Sequence, residues 1–135
     1  YMDRGFLSVS VSNSALSLGI LNKNSISSAA TTISVSTDSA TGYSIYFGNV
    51  SGTSITPVTD GEVSVGAEEF GVAVDGVNDV IVGDVAVASN LQLDYQLTPT
   101  NLATTTLRFK ASISESSSSG NYSQTIPLIV SSNVL

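Results

Sequence analysis

The chain has 135 residues, a net charge of −7 and a pI near 4.1, with charged residues at only 11% and a mean hydropathy of +0.29. A chain of this size buries one core, so one domain spanning 1–135 is expected, and Arg4, Lys23, Arg108 and Lys110 are too few to neutralise a phosphate backbone. Cysteine and histidine are both absent, which removes disulfides, thiolate or imidazole metal sites and the usual general base.

Serine, threonine and small apolar residues replace the missing charge, and a surface of that kind points outside the cell or into a packed assembly. The chain starts at Tyr1, as an exported protein does after its signal peptide is removed, and as a recombinant fragment also would. No apolar run approaches the roughly 18 residues of a membrane span.

Along the chain the dominant signal is alternation with a period of two. Leu7, Val9 and Val11 alternate with serines; then Leu16, Leu18 and Ile20 alternate on the opposite parity, so a bulge, bend or break is expected at Asn13 and Ser14. Ile33 and Val35 form the next strand, and Tyr43, Ile45 and Phe47 the one after the 37–42 turn. Residues 53–58 read as a short edge strand limited by Pro57, and Asp60-Gly61 as a turn before Val63 and Val65. Phe70, Val72 and Val74 alternate, and 80–88 is apolar enough for a strand covered on both faces.

Leu91, Leu93, Tyr95 and Leu97 are expected to face inward, as are Leu107, Phe109, Ala111 and Ile113. A hairpin between these two segments sets Asp94 opposite Arg108. Residues 122–131 form a closing strand, with Pro127 at an edge or bulge. Eight to ten short strands predict an all-β fold, a β-sandwich of jelly-roll or immunoglobulin-like type.

Candidate chemistry is sparse. Glu68 and Glu69 are the only adjacent acids, and neighbours in a strand point to opposite faces, so no catalytic pair and no cofactor are expected. Asp75, Asn78 and Asp79, with Asp84 nearby, offer oxygen ligands for calcium, although a solvated turn explains them more simply. Lys110 is a candidate for an isopeptide bond to a buried acid, but its outward parity favours a plain surface lysine. Asn49 and Asn121 begin glycosylation sequons at turns. Tyr43, Tyr46 and Tyr95 could line a sugar-binding face, with core packing the simpler role for Tyr43 and Tyr95.

The segment with most functional content is the N-terminal strand within 1–13. Phe6, Leu7, Val9 and Val11 give it a clean apolar stripe that either completes its own sheet or pairs with the open edge of a neighbour. Head-to-tail donation of that kind does not close and builds fibres of identical subunits.

The stretches Ala15-Leu-Ser-Leu-Gly-Ile-Leu21 and Thr32-Ile-Ser-Val-Ser-Thr-Asp-Ser-Ala-Thr-Gly-Tyr-Ser-Ile45 resemble the opening of small secreted β-sandwich proteins of prokaryotic surfaces. Asp60-Gly61-Glu-Val-Ser-Val-Gly-Ala-Glu-Glu-Phe-Gly71, Phe109-Lys-Ala-Ser-Ile-Ser114 and Gly120-Asn-Tyr122 are similar to later blocks of such proteins, especially those of candidate-phyla bacteria. The architecture also resembles the TasA/camelysin-like matrix-fibre proteins and archaeal bundling pilins. That resemblance implies an extracellular filament subunit whose donor strand is Phe6, Leu7, Val9 and Val11. An adhesive or ligand-binding surface module, supported by calcium at Asp75, Asn78 and Asp79, is the alternative expectation.

Overall fold

Alternating β-branched and small polar residues favour extended chain. The computed structural model, which describes residues 6–76, 78, 81–117 and 122–133, is all-β, with no helix among them. Its strands are β1 (Leu7–Val11), β2 (Ser27–Thr37), β3 (Tyr43–Phe47), β4 (Ser51–Thr53), β5 (Glu69–Asp75), β6 (Gln92–Gln96), β7 (Thr100–Ser112), β8 (Ser123–Thr125) and β9 (Leu128–Ser132). A four-stranded sheet in the order β1-β2-β7-β5 faces a three-stranded sheet in the order β6-β3-β9, and β4 pairs with β8 in a small third sheet. All of these pairings are antiparallel.

The two longest strands, β2 and β7, form the spine. Their register sets Ile33 against Thr105 and Thr31 against Leu107, so Ile33, Val35, Leu107, Phe109 and Ala111 all face inward as their alternation requires. Tyr43, Ile45, Phe47 and Leu93 meet them from the other sheet. The Phe109 ring lies between Phe47 and Phe70, each 6.3 Å away between centroids. Full burial stabilises each large apolar side chain by about 1.5–3 kcal/mol, which locates most of the folding energy in this layer.

Several expectations are corrected. The segments 91–97 and 107–113 do not form a hairpin, because β6 joins β3 in one sheet while β7 joins β2 and β5 in the other. Asp94 therefore never meets Arg108. The β3–β6 register slips between Ile45 and Tyr46, and this irregularity buries both Leu93 and Asp94, leaving Tyr95 half-buried and Leu97 exposed. Residues 81–88 form no strand; only Val85 pairs, with Val72 of β5. Residues 63–65 form none either, and the strand expected at 53–58 is not formed: β4 ends at Thr53, and Pro57 makes a lone bridge to Phe70. The closing strand is split into β8 and β9 around Pro127, which has no N–H to carry a ladder through.

Buried Asp94 is hydrogen-bonded from three directions. Thr105 Oγ1 of β7 donates to it at 2.6 Å, and the backbone N–H groups of Asn78 and Tyr95 donate at 2.8 Å each. The carboxylate thus joins both sheets to the turn after β5. Gly76 makes room for it, since a Cβ there would stand 2.0 Å from Asp94 Oδ2. A second hub is Asn133, whose amide donates to the carbonyls of Thr41, Tyr43 and Gln96 while its oxygen accepts from Ser44. It ties the end of β9 to β3 and β6.

Tyr43 lies wholly within the core, and its hydroxyl has no hydrogen-bond partner among the described residues. Burial, reinforced by the negative charge of Asp94, pushes its pKa up to about 12. A folded pKa above the unfolded value of about 10 means that this stability is complete below pH 10 and is lost as pH rises toward 12. Tyr43→Phe removes both the unpaired hydroxyl and the titration. Urea unfolding is expected to show a gain of about 1 kcal/mol at pH 7 and a weaker fall in stability between pH 10 and 12 than in the parent chain.

Candidate functional site

β1 is an edge strand. Its register sets Leu7 opposite Thr37, Val9 opposite Val35 and Val11 opposite Ile33, so the odd-numbered apolar residues share the core face of β2. The strand lies at the border of the core, and its stripe is only partly covered: Val9 is 43% exposed and Val11 37%, while Phe6, which precedes the strand and falls on the other parity, is 54% exposed.

Two polar clamps hold its ends. At the start, the Phe6 N–H donates to Asp38 Oδ1 and Thr37 Oγ1 donates to the Phe6 carbonyl, each at 2.7 Å. At the end, Ser12 N–H donates to the Thr32 carbonyl at 2.9 Å, and Thr31 Oγ1 accepts from the Asn13 N–H and donates to the Asn13 carbonyl.

The parity change expected at Asn13 and Ser14 is realised as a departure from the sheet. Asn13 Oδ1 accepts from the Ala15 N–H in an Asx turn, and residues 14–21 belong to no strand despite their alternation. Leu16 rests against the core, whereas Ile20 is 96% exposed. Beneath this arm a groove of about 900 Å³ opens between the sheets, lined among others by Val11, Leu16 and Leu18 of the arm and by Phe47, Phe109 and Leu128. Of β2, Thr31 lines it.

The other candidates are dispersed. Asp75 is exposed at the end of β5. Asn78 uses its side-chain amide as a donor to the Tyr95 carbonyl and its N–H on Asp94, while Asp79 lies outside the described residues. No group of three potential metal-ligating side chains occurs among the described residues. Glu68 accepts hydrogen bonds from Thr56, and those bonds together with one from Ser117 hold its pKa below the usual carboxylate value. Glu69 accepts instead from the Ser64 N–H, so the two acids serve different contacts.

Lys110 Nζ lies 3.1 Å from the buried carboxylate of Asp84, whose other oxygen accepts from the Val63 N–H. Asn49 is exposed between β3 and β4, and Asn121 lies outside the described residues. Tyr43 is a core residue, while Tyr95 borders a shallow polar depression with Thr41, Ser44 and Asn133.

Sequence reasoning missed Asp94 and the free edge of β9. The bulge that buries Asp94 leaves no mark in the alternation, whereas Pro127 did signal an edge. No family model, no curated protein and no solved structure matches the chain.

The partial burial of β1 has an energetic consequence. Leu7→Ala is expected to cost about 1 kcal/mol and Leu107→Ala, in the core, about 3 kcal/mol, read as shifts of the urea midpoint at constant slope.

Proposed function

We propose that the chain is a structural subunit of an extracellular filament, in which β1 leaves its own sheet and takes the equivalent place on β2 of the next copy. The observation that carries this reading is the position of β1. It is an edge strand, the first in the sequence, whose apolar stripe stays half-exposed at the border of a core built from β2, β3, β5, β6 and β7, with Leu7 packed against that core.

Exchange preserves every contact of the strand while linking two molecules. The register from Leu7 to Val11 and the clamps at Phe6 and Asn13 are the same whichever copy supplies them. The connection through residues 12–26 contains no strand and only a tight bridge at Asn22 and Ser25. Fully extended, it spans on the order of 50 Å, enough to reach a neighbour. The sparse charge and the serine-rich strand faces suit close packing outside the cell.

Backbone ladders would supply the affinity of each joint, and the alternate residues Leu7, Val9 and Val11 its specificity. Because donor and acceptor are different surfaces, the chain of joints does not close. It grows.

A disulfide tests this directly, since the natural chain contains no cysteine. Ser10 stands directly opposite Ser34, at a spacing near 5.5 Å for such pairs, within the range a disulfide tolerates. The double variant Ser10→Cys, Ser34→Cys is expected to stay monomeric when oxidised as a monomer and to form filaments by negative-stain microscopy once reduced. Filaments growing from the oxidised, internally linked chain would overturn strand donation.

The alternative, a ligand-binding surface module, is favoured by one feature, the polar depression beside Tyr95. It predicts glycan-array binding that Tyr95→Ala removes, and an array without signal leaves that reading without support.

A further inference from the structure

The two facing sheets have four outer edges, and the chain treats them unequally. The edge of β5 is closed: Val58 N–H donates to the Phe70 carbonyl, Phe70 N–H donates to the Thr56 carbonyl, and Val72 and Val85 exchange both bonds, all at 2.9–3.0 Å. The edge of β6 is interrupted by its register slip and met by the Asn78 amide at the Tyr95 carbonyl. β1 covers part of the edge of β2 and thereby becomes the outer edge there, the strand to which the proposed function assigns exchange between copies.

β9 is different. It pairs with β3 on one side, and among the described residues no backbone hydrogen bond reaches its other side. The Pro127 carbonyl accepts from Gly48 and the Asn133 N–H donates to Gly42, so odd-numbered residues bond toward β3 and Leu128, Val130 and Ser132 turn their backbone groups to the open edge.

Natural sheets blunt such edges with charge, proline or a bulge. Within Leu128–Ser132 there is none of these, and Ile129 is 47% exposed on the outer face. In a chain of net charge −7 most faces repel a second copy, yet β9 and the β1 strand packed across from it carry no charged residue at all.

The strand is also complementary to itself. In an antiparallel pairing centred on Val130, Leu128 meets Ser132 and Ile129 meets Ser131, each large side chain opposite a small one. The open backbone groups of Leu128, Val130 and Ser132 then face the same three residues of the other copy. We propose that β9 is an interface for a second copy of this chain, joined to β9 of that copy about a two-fold axis through Val130. The three-stranded sheet thereby becomes a six-stranded one across two molecules. This pairing does not depend on the donation of β1.

Single cysteines test the register. In the full chain, Val130→Cys places two thiols directly opposite each other, near 5.5 Å between Cα atoms, and is expected to give a covalent dimer under mild oxidation. Ser132→Cys, whose two copies would stand on the order of 13 Å apart, is expected to stay unlinked. Ile129→Lys, on the exposed outer face, is expected to weaken dimerisation at least tenfold by analytical ultracentrifugation while leaving the fold intact.

A folded Val130→Cys chain that remains unlinked, or Ser132→Cys linking equally well, would overturn the pairing. Filaments with Val130→Cys unlinked would leave donation standing and remove this interface. Covalent Val130→Cys dimers, beside filaments that still grow from the chain linked between positions 10 and 34, would do the reverse.

Discussion

A strand at the border of a sheet must satisfy one row of its backbone groups with something other than its own sheet, and that requirement organises this molecule. Two outer edges are dealt with internally, and a third is moved outward from β2 to β1. Short lone bridges from 56–58 and Val85 close β5, a register slip and a side-chain amide blunt β6, and an N-terminal strand covers β2. Each is inexpensive in sequence, needing a few residues in loops that the chain already has to make. The open side of the sandwich, where β1 and β9 lie across from one another, is therefore the place where association meets least resistance.

Charge sets the same polarity from another direction. Most of the described acids lie away from this side, Asp38 at the Phe6 clamp excepted: Asp60, Glu62, Glu68 and Glu69 are in or next to the loops around β5, and the Asp84–Lys110 pair packs on the outward face of β7. Buried Asp84 is held by Lys110 and the Val63 N–H, so the outer layer at 58–63 and 84–85 is pinned onto the sheet by polar contacts as well as by Val58 and Val63. Gly71 allows that close approach, because a Cβ there would come within 2.7 Å of Val58. One flank of the four-stranded sheet is thus covered by a layer held through charged side chains, whereas the strands at the other carry Asp38 at their border as the nearest described acid.

Much of this was legible in residue order, and the illegible parts have identifiable causes. The faces of β2, β5 and β7 followed from alternation because all three run regularly enough for parity to hold, and the change of parity at Asn13 correctly marked where β1 leaves the sheet. The same alternation misled at Leu16, Leu18 and Ile20, where a strand-like pattern lies as an irregular arm over an unfilled groove.

Pairing was harder to read than facing. Strands β6 and β7 are neighbours in sequence with complementary charges at Asp94 and Arg108, and nothing local distinguishes a hairpin from a crossing between sheets. The bulge at Leu93 and Asp94 then turned an apparently outward acid into the best-connected buried polar group of the core. The sequence of β1 showed its apolar stripe, and Pro127 marked β9 as an edge; that β9 carries no backbone partner on its outer side among the described residues became visible only in the structure.

The proposed strand donation and the proposed β9 pairing would make different geometric demands, and they use different strands of the fold. Donation would join unlike surfaces, the stripe of β1 to the edge of β2, and so would propagate in one direction. Pairing through β9 joins like surfaces and stops at two, so it can link copies side by side but cannot extend a chain. In either place the interior of the sandwich stays as it is, because β1 returns to an equivalent seat and β9 keeps its bonds to β3. An assembly using both would therefore grow along one axis through β1 and acquire width through β9, with the buried Asp94 hub and the Phe47–Phe109–Phe70 stack unchanged in every subunit.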